Sequence, residues 1–377
     1  MLPPFCPNPL CSHHHDTEAQ YAPYWRPFGY YTTNVVGPVR RFKCSACGKG
    51  FSERTFSIDY YTKRTLDYRE IHRAISQSES VSSVARHLSC TEDSVQNRID
   101  RLARSCLAVQ SGIVEKISLS EHLVADGFES FDRSQYFPNQ INLLLGKSSQ
   151  FLYGFTHMNM RRKGRMSPSQ KETRKKYDES WKPKRGALLT SFSRLLSIIP
   201  AIWDRARVTG LELWTDEHKT YPRALEKVSV LSEALASGEL EHKTVSSRAK
   251  RTKQNPLFSV NYYDRELRKD LAAFRRESTC YTRNASNGLM RFSLHMAYHN
   301  YQKLYRIKDP VVDFVHAEAT GLEDYLIEDA FKGFYEDRRF LSKLRLSDEY
   351  RKVWLKKTKT PLKEGDDYLP KYARVGA

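Results

Sequence analysis

The chain has 377 residues, long enough for two or three domains with sizeable cores. It carries 62 Lys and Arg against 44 Asp and Glu, and the formal net charge of +18 favours a polyanionic partner such as nucleic acid. No apolar run approaches the roughly 18 residues that would span a bilayer, and the start of the sequence lacks the pattern of a secretory signal. These totals predict a basic intracellular protein with reduced thiols and exclude a transmembrane one.

The first 60 residues contain two cysteine pairs, Cys6 with Cys11 and Cys44 with Cys47. A tetrahedral Zn²⁺ takes four soft ligands, and a Cys-x2-Cys turn ending in glycine presents two thiolates to one side of the metal. Residues 1–60 therefore predict a zinc ribbon with a structural Zn²⁺, because protein side chains fill all four positions. Ordinary unliganded thiols are the alternative, and we expect the neighbouring histidines to be exposed: His13, His14 and His15.

Residues 61–110 contain three short helical patterns, and Thr91 is a good N-cap for the third. This arrangement predicts a helix-turn-helix domain that binds DNA. Side chains suited to contact base edges and phosphates would then line the outward face of the third helix: Gln96, Asn97, Arg98, Arg101 and Arg104. The alternative is a helical hairpin with a solvated polar face.

The pattern changes to short β-type runs from residue 113 to about 156, followed by a charged, exposed insertion at 161–186. A largely buried helix interrupted at Pro200 comes next, then a strand that ends at Asp216. Residues 241–254 indicate a solvated basic loop, and two strong helices follow. This alternation of strands and helices predicts an α/β domain.

Two carboxylates stand out in this α/β segment, Asp126 on an early strand and Asp216 at the end of a later one. A sheet built in this order can bring them side by side, where divalent cations would neutralise their repulsion. A pair of Mg²⁺ or Mn²⁺ ions about 4 Å apart is a common device for phosphoryl transfer. The basic residues that follow, His218, Lys219 and Arg223, would face the phosphates. A strand-end Asp is otherwise most often a turn residue.

With the cysteine pairs, three stretches carry a resemblance to a known family: "VADGFESF", "LWTDEHKTYPRAL" and "NPLFSVNYYDRELRKDLAAFRRESTCYTRN". The chain resembles bacterial and archaeal insertion-sequence transposases of the DDE type over residues 1–305. The resemblance implies a multidomain α/β protein with a zinc ribbon, a helix-turn-helix and, at 113–305, a ribonuclease H-like mixed sheet flanked by helices. It also implies that Asp126 and Asp216 are the first two metal ligands. Residues 306–377 lie outside the resemblance and form a basic segment of unknown role.

The third ligand departs from the family pattern, which has a glutamate just before a helix. Aligning that helix places Asn261 at the expected position, where its carbonyl oxygen would coordinate the metal. Asp264, one helical turn later, is the second choice, and Glu266 is the third. Arg268 on the same helix is a candidate contact to the DNA backbone, with a solvated charged face as the alternative.

The resemblance implies a DNA transposase that binds element ends and catalyses metal-dependent strand cleavage and strand transfer. Its partners would be double-stranded DNA, both element ends and target, and further copies of the chain assembled on that DNA. We expect a prokaryotic cytoplasmic protein associated with the nucleoid, with no membrane partner. The alternative is a non-catalytic, sequence-specific DNA-binding regulator or decayed transposase.

Overall fold

A computed structural model describes residues 3–15, 23–204, 206–275, 280–306 and 311–374. The N-terminal part begins with the short helix α1 (Ser12–His15), followed by a three-stranded antiparallel sheet whose strands are β1 (Trp25–Thr33), β2 (Gly37–Cys44) and β3 (Gly50–Ser52). A small aromatic core covers one side of this sheet: Phe42, Phe51, Phe56 and Phe340. Phe340 comes from the far end of the chain, so the sheet is packed partly against the C-terminal segment.

Three helices follow, namely α2 (Tyr68–Ser76), α3 (Val81–His87) and α4 (Glu92–Val114). Each begins at a capping side chain, and Thr91 accepts a hydrogen bond from the Ser94 backbone amide as expected of an N-cap. The third helix is longer than the sequence pattern indicated, because α4 runs unbroken for 23 residues. Most of its length is buried, since it packs against α2, α3 and the later helix α11 (Ala285–Tyr301).

The central element is a five-stranded mixed sheet of β4 (Leu123–Phe131), β5 (Pro138–Gly146), β6 (Leu152–Asn159), β7 (Leu211–Asp216) and β8 (Leu240–Val245). The strand order is β6-β5-β4-β7-β8. Strands β4, β5 and β6 are antiparallel, whereas β4, β7 and β8 run parallel. The expectation of a solvated basic loop at residues 241–254 was wrong for residues 241–245, which belong to β8. An edge strand exposes one side to solvent and therefore tolerates the charged side chains that suggested a loop.

Helices surround this sheet: α5 (Pro168–Ser180), α6 (Ala187–Leu196), α7 (Ile199–Ile202), α8 (Thr220–Leu225), α9 (Ser229–Ser237), α10 (Phe258–Asp270), α11, α12 (Asp324–Phe331) and α13 (Asp348–Trp354). Single 3₁₀ turns lie at Glu53–Phe56, Ala272–Phe274, Glu318–Thr320, Leu341–Lys343 and Lys371–Ala373. Helix α5 buries none of its residues, which confirms the exposed insertion. The predicted interruption lies between α6 and α7, and Pro200 is the second residue of α7.

One continuous hydrophobic core extends from Ile58 to Trp354 and joins α2–α4, the five-stranded sheet and the C-terminal segment. Trp354 of α13 is only 1% exposed. The C-terminal segment, for which no role was predicted, therefore belongs to the main core. Because α2–α4 share that core, they are not packed as a separate hydrophobic unit.

A buried histidine makes this core sensitive to acid. His72 accepts a hydrogen bond from the Tyr335 hydroxyl and donates one to the Leu294 carbonyl, and burial lowers its pKa to about 4. The unfolded state binds the proton first, so this contribution to stability is complete above about pH 6.5 and is lost as the pH falls towards 4. We expect His72→Gln to flatten the dependence of the unfolding free energy on pH between 7.5 and 5, removing about 2 kcal/mol of it. Urea unfolding of zinc-saturated protein would measure this, and parallel curves for both proteins would contradict it.

Candidate metal sites and the surface around them

The four cysteines of the predicted zinc ribbon come together in space. Their sulfur atoms all lie within 4.8 Å of one another, with Cys6 Sγ 3.6 Å from Cys47 Sγ and Cys11 Sγ 3.8 Å from Cys44 Sγ. Zn–S bonds of about 2.3 Å in a regular tetrahedron require S–S separations of about 3.8 Å. The cluster is therefore shaped to bind a structural zinc ion.

Local backbone turns bring the cysteines into this arrangement. Strand β2 ends at Cys44, whose carbonyl accepts a hydrogen bond from Gly48 at 3.1 Å, and Gly48 has the positive φ of +70° that this turn needs. Burial raises the pKa of the Cys6 thiol. Burial acts the same way on Cys47, but hydrogen bonds involving the Lys49 backbone and the Asn8 side chain outweigh it and lower the pKa of Cys47 to about 7. The Cys47 thiol is therefore partly ionised to the thiolate at neutral pH.

The expectation of exposed histidines was wrong for His14, which is fully buried. Its Nδ1 lies 2.6 Å from the Cys6 carbonyl oxygen and its Nε2 lies 2.9 Å from Ser342 Oγ. The aromatic core beside the cysteines explains the difference, since the His14 ring packs edge-on against Phe5 at 5.3 Å. His14 connects the cysteine cluster to the C-terminal segment.

Asp126 and Asp216 lie on neighbouring parallel strands. The strands pair Leu123 with Leu213 and Val124 with Trp214, and the same register extended by two residues would bring the two aspartates opposite each other. Adjacent strands are about 4.8 Å apart, and both residues are half-buried. Burial raises the pKa of Asp126 to about 6, and the charge of Asp216 acts in the same direction. The fold thus brings Asp216 near enough to Asp126 for its charge to add to the effect of burial.

Hydrogen bonds orient both carboxylates. Asp126 Oδ1 accepts from the Gly127 amide at 2.7 Å and from the Tyr221 hydroxyl at 3.2 Å. Asp216 Oδ1 accepts from the His218 amide at 2.9 Å, as a turn aspartate does. The sequence analysis missed Tyr221, although its place on α8 immediately after the strand that ends at Asp216 was a usable signal.

The candidates for a third ligand lie on α10, which packs against β4 and β5. Asn261 and Asp264 are both half-buried. Helical spacing places Asp264 in one stripe with the buried Val260 and Leu267, on the side of the helix away from α11. Within the described parts of the chain, the four cysteines form the one set of three or more Cys, His, Asp or Glu ligand atoms within 4.8 Å of one another. The carboxylates of Asp126, Asp216 and Asp264 therefore do not form such a set, and Asp264 would have to move towards the other two to act as a third ligand.

Two other charged residues of α10 have structural contacts. Glu266 forms a buried ion pair with Lys303, so it is turned away from Asp126. The Arg268 guanidinium donates to the Glu129 carbonyl at 3.1 Å and lies 4.6 Å above the Phe128 ring, which places α10 beside β4. His218 and Lys219, next to Asp216, are exposed.

The expected outward face of the third helix is not exposed. Arg98, Arg101 and Arg104 are each no more than 6% exposed. Arg98 donates to the Arg64 carbonyl, Arg101 to the Ile58 carbonyl, and Arg104 to the Trp354 carbonyl. The prediction that these arginines line an open recognition surface was wrong, because residues 58–64 and the C-terminal segment cover that part of α4.

The two amides expected on that face also have partners within the protein. Gln96 donates to Asp100 and accepts from Arg291, and the Asn97 carbonyl oxygen accepts from Arg98 and Arg101. Both side chains are half-buried. Contact with a base edge would require them to exchange these hydrogen bonds.

None of the helices in the described ranges is both long and apolar enough to cross a membrane. In comparisons with known proteins, no protein-family model matches this sequence, and no curated protein matches it.

Proposed function

We propose that this protein is a metal-dependent DNA transposase of an insertion sequence, with Asp126 and Asp216 as its first two metal ligands. The observation that supports the proposal is the parallel pairing of β4 with β7 at Leu123–Leu213 and Val124–Trp214, a register that brings the two aspartates opposite each other when it is extended by two residues. Two neighbouring, half-buried carboxylates are costly unless cations neutralise them. The pKa of Asp126 is raised mainly by burial, and the charge of Asp216 adds to the shift.

The surrounding fold supports the same proposal. A mixed five-stranded sheet flanked by helices is what the resemblance to DDE transposases implies for the ribonuclease H-like domain. A cysteine cluster of zinc-binding geometry precedes it in the chain, again as the resemblance implies. The net charge of +18 suits a double-stranded DNA partner, with element ends and target bound by several copies of a nucleoid-associated, prokaryotic protein.

The residues at the strand ends have separate roles in this proposal. Divalent ions held by the two aspartates would activate the attacking oxygen and stabilise the leaving one. Tyr221 donates to Asp126 Oδ1 and holds that carboxylate in one orientation. His218 and Lys219 are exposed beside Asp216, where they can contact phosphates. No side chain needs to form a covalent bond to DNA, because the freed 3′-hydroxyl attacks the target directly.

We favour Asp264 over Asn261 as the third ligand, since it has a carboxylate and shares a stripe with two buried residues of α10. Replacing Asp264 by Asn should lower cleavage about a hundredfold, whereas Asn261→Ala should lower it less than tenfold. Rates of Mn²⁺-dependent cleavage would measure both effects. The reverse order would make Asn261 the ligand.

The direct test uses purified protein and a labelled DNA fragment that spans the end of its own element. Nicked 3′ ends should form with Mg²⁺ or Mn²⁺ and should not form with Ca²⁺ or without metal. Specific binding of the fragment with no nicking under any of these conditions would instead favour the alternative, a non-catalytic DNA-binding protein.

A further inference from the structure

Two adjoining cavities open beside the first turns of α4, with volumes of about 560 and 300 Å³. Both are bounded by Tyr61, Lys371 and Tyr372, so they form one continuous depression. We call it the tyrosine–arginine groove, defined by Lys49, Tyr60, Tyr61, Lys63, Arg98, Arg101, Arg338, Tyr368, Lys371 and Tyr372. It lies between the cysteine-bearing sheet, α4 and the C-terminal segment, and it is separate from the aspartates of β4 and β7.

The charge of the groove is strongly positive. Six cationic side chains border it, namely Lys49, Lys63, Arg98, Arg101, Arg338 and Lys371, against one carboxylate, Asp93. None of the six forms a salt bridge to a carboxylate in the described residues. Cations concentrated without anionic partners favour a polyanionic ligand.

Buried arginine donors face this groove. Arg98 is only 5% exposed, it lines the larger cavity, and its Nε has no hydrogen-bond partner among the described residues. The Nε of Arg338, on the wall of the smaller cavity, is likewise without a partner there. Burial lowers the pKa of Arg338 to about 10, and the nearby charge of Arg101 acts in the same direction. An anion in the groove would offset the cost of keeping these two guanidinium charges buried in its walls.

Aromatic rings alternate with these cations. Tyr61 and Tyr368 are 74% and 79% exposed, and the Tyr60 ring lies 4.1 Å from that of Tyr61. Tyr61 also has a φ of +62°, a conformation that non-glycine residues adopt rarely and that recurs at binding sites. The Tyr372 ring, inside the groove, lies 4.2 Å from the Arg101 guanidinium. Exposed ring faces beside cations are the features that bind unpaired bases and their phosphates.

We propose that the tyrosine–arginine groove binds a single strand of DNA. Bases stack on Tyr61 and Tyr368, while the exposed Lys63 and Lys371 contact the phosphates. A single strand fits better than a duplex, because the faces of paired bases are covered by their neighbours in the helix. The choice of DNA rests on the proposed function, and the strand would be one separated from its complement at the element end.

The test is fluorescence anisotropy of a 5′-labelled oligothymidylate of 12 nucleotides with the full-length, zinc-loaded protein. Tyr61→Ala and Tyr368→Ala should each weaken binding at least about fivefold, since stacking on one ring typically contributes that much. Lys371→Gln should reduce the slope of log affinity against log salt by about 0.7. The matched control is Tyr325→Ala on α12, where the tyrosine is 65% exposed and borders neither cavity, and it should bind as the wild type does.

The outcomes separate this inference from the proposed function. Unchanged oligonucleotide binding in both tyrosine variants would overturn the inference, even if the wild-type protein nicks DNA with Mn²⁺. If the tyrosine variants lost affinity for a hairpin duplex to the same extent, the inference would also be overturned, because binding would then depend only on phosphate contacts. Ring-dependent binding by a protein that never nicks DNA would support the inference and refute the transposase proposal.

Discussion

Replacing Asp126 or Asp216 by asparagine is expected to lower metal-dependent DNA cleavage by at least about three orders of magnitude, with DNA binding retained. Each carboxylate would hold divalent ions whose Lewis acidity contributes several kcal/mol to the transition state, and about 1.4 kcal/mol corresponds to a factor of ten in rate. Single-turnover cleavage of a labelled end fragment in Mn²⁺ would measure the loss. A gel-shift assay in Ca²⁺ would measure binding on the same fragment.

A measurement of stability distinguishes loss of the metal site from unfolding as the cause of lost cleavage. Burial and the charge of Asp216 raise the pKa of Asp126, so the ionised carboxylate is unfavourable in the folded protein without divalent ions. Asp126→Asn removes that charge, and we expect its melting temperature at pH 7.5 in Mg²⁺-free buffer to equal or exceed that of the wild type. A variant that loses activity and also melts lower would leave misfolding as the explanation.

The neighbouring Glu217 supplies a matched control. It is exposed, carries the same charge, and directly follows Asp216 at the strand end. Glu217→Gln should change the cleavage rate by no more than a few fold, because an exposed carboxylate outside the pair holds no ion. Normal cleavage by Asp126→Asn or Asp216→Asn, beside this control, would refute the metal-site assignment.

Loss of zinc should have the second large effect. Cys11→Ser is expected to abolish binding of one zinc ion per chain and to unfold the three-stranded sheet. The sheet has only a small aromatic core of its own, whereas structural zinc contributes about 10–16 kcal/mol of apparent binding free energy in zinc-finger peptides. Elemental analysis would count the metal, and limited proteolysis would reveal new cleavage within residues 23–56.

Cys90 provides the control for this experiment, because it is a half-buried thiol outside the four-cysteine cluster. Cys90→Ser should retain the zinc ion and the wild-type proteolysis pattern. Stoichiometric zinc in Cys11→Ser would refute the four-thiolate site. In Cys11→Ser, the loss of structure should extend to the residues around Phe340 and Ser342. Phe340 packs against the N-terminal part of the chain, and Ser342 hydrogen-bonds it.

Several features could be predicted from residues that are adjacent in the sequence or that recur with a regular period. The spacing of the four cysteines predicted their cluster, and glycine at position 48 indicated the tight turn beside it. Apolar alternation predicted the strands that carry Asp126 and Asp216. These features follow from local geometry, because a turn or a strand is determined largely by the residues within it.

Other features depend on partners far along the chain. Arg104 of α4 donates to the carbonyl of Trp354, and Arg101 packs beside the ring of Tyr372, contacts that no helical period could indicate. The same reason explains the buried His14, whose partner Ser342 lies at the opposite end of the sequence.

The sequence by itself therefore determined the cysteine cluster, most strands and helices, and the two strands that carry the paired aspartates. Only the tertiary structure decided which charged faces remain open to a ligand. An amphipathic pattern identifies the polar side of a helix, but whether solvent or another segment covers that side depends on long-range packing. Here the C-terminal segment covers the arginines of α4 and leaves the tyrosine–arginine groove at its edge.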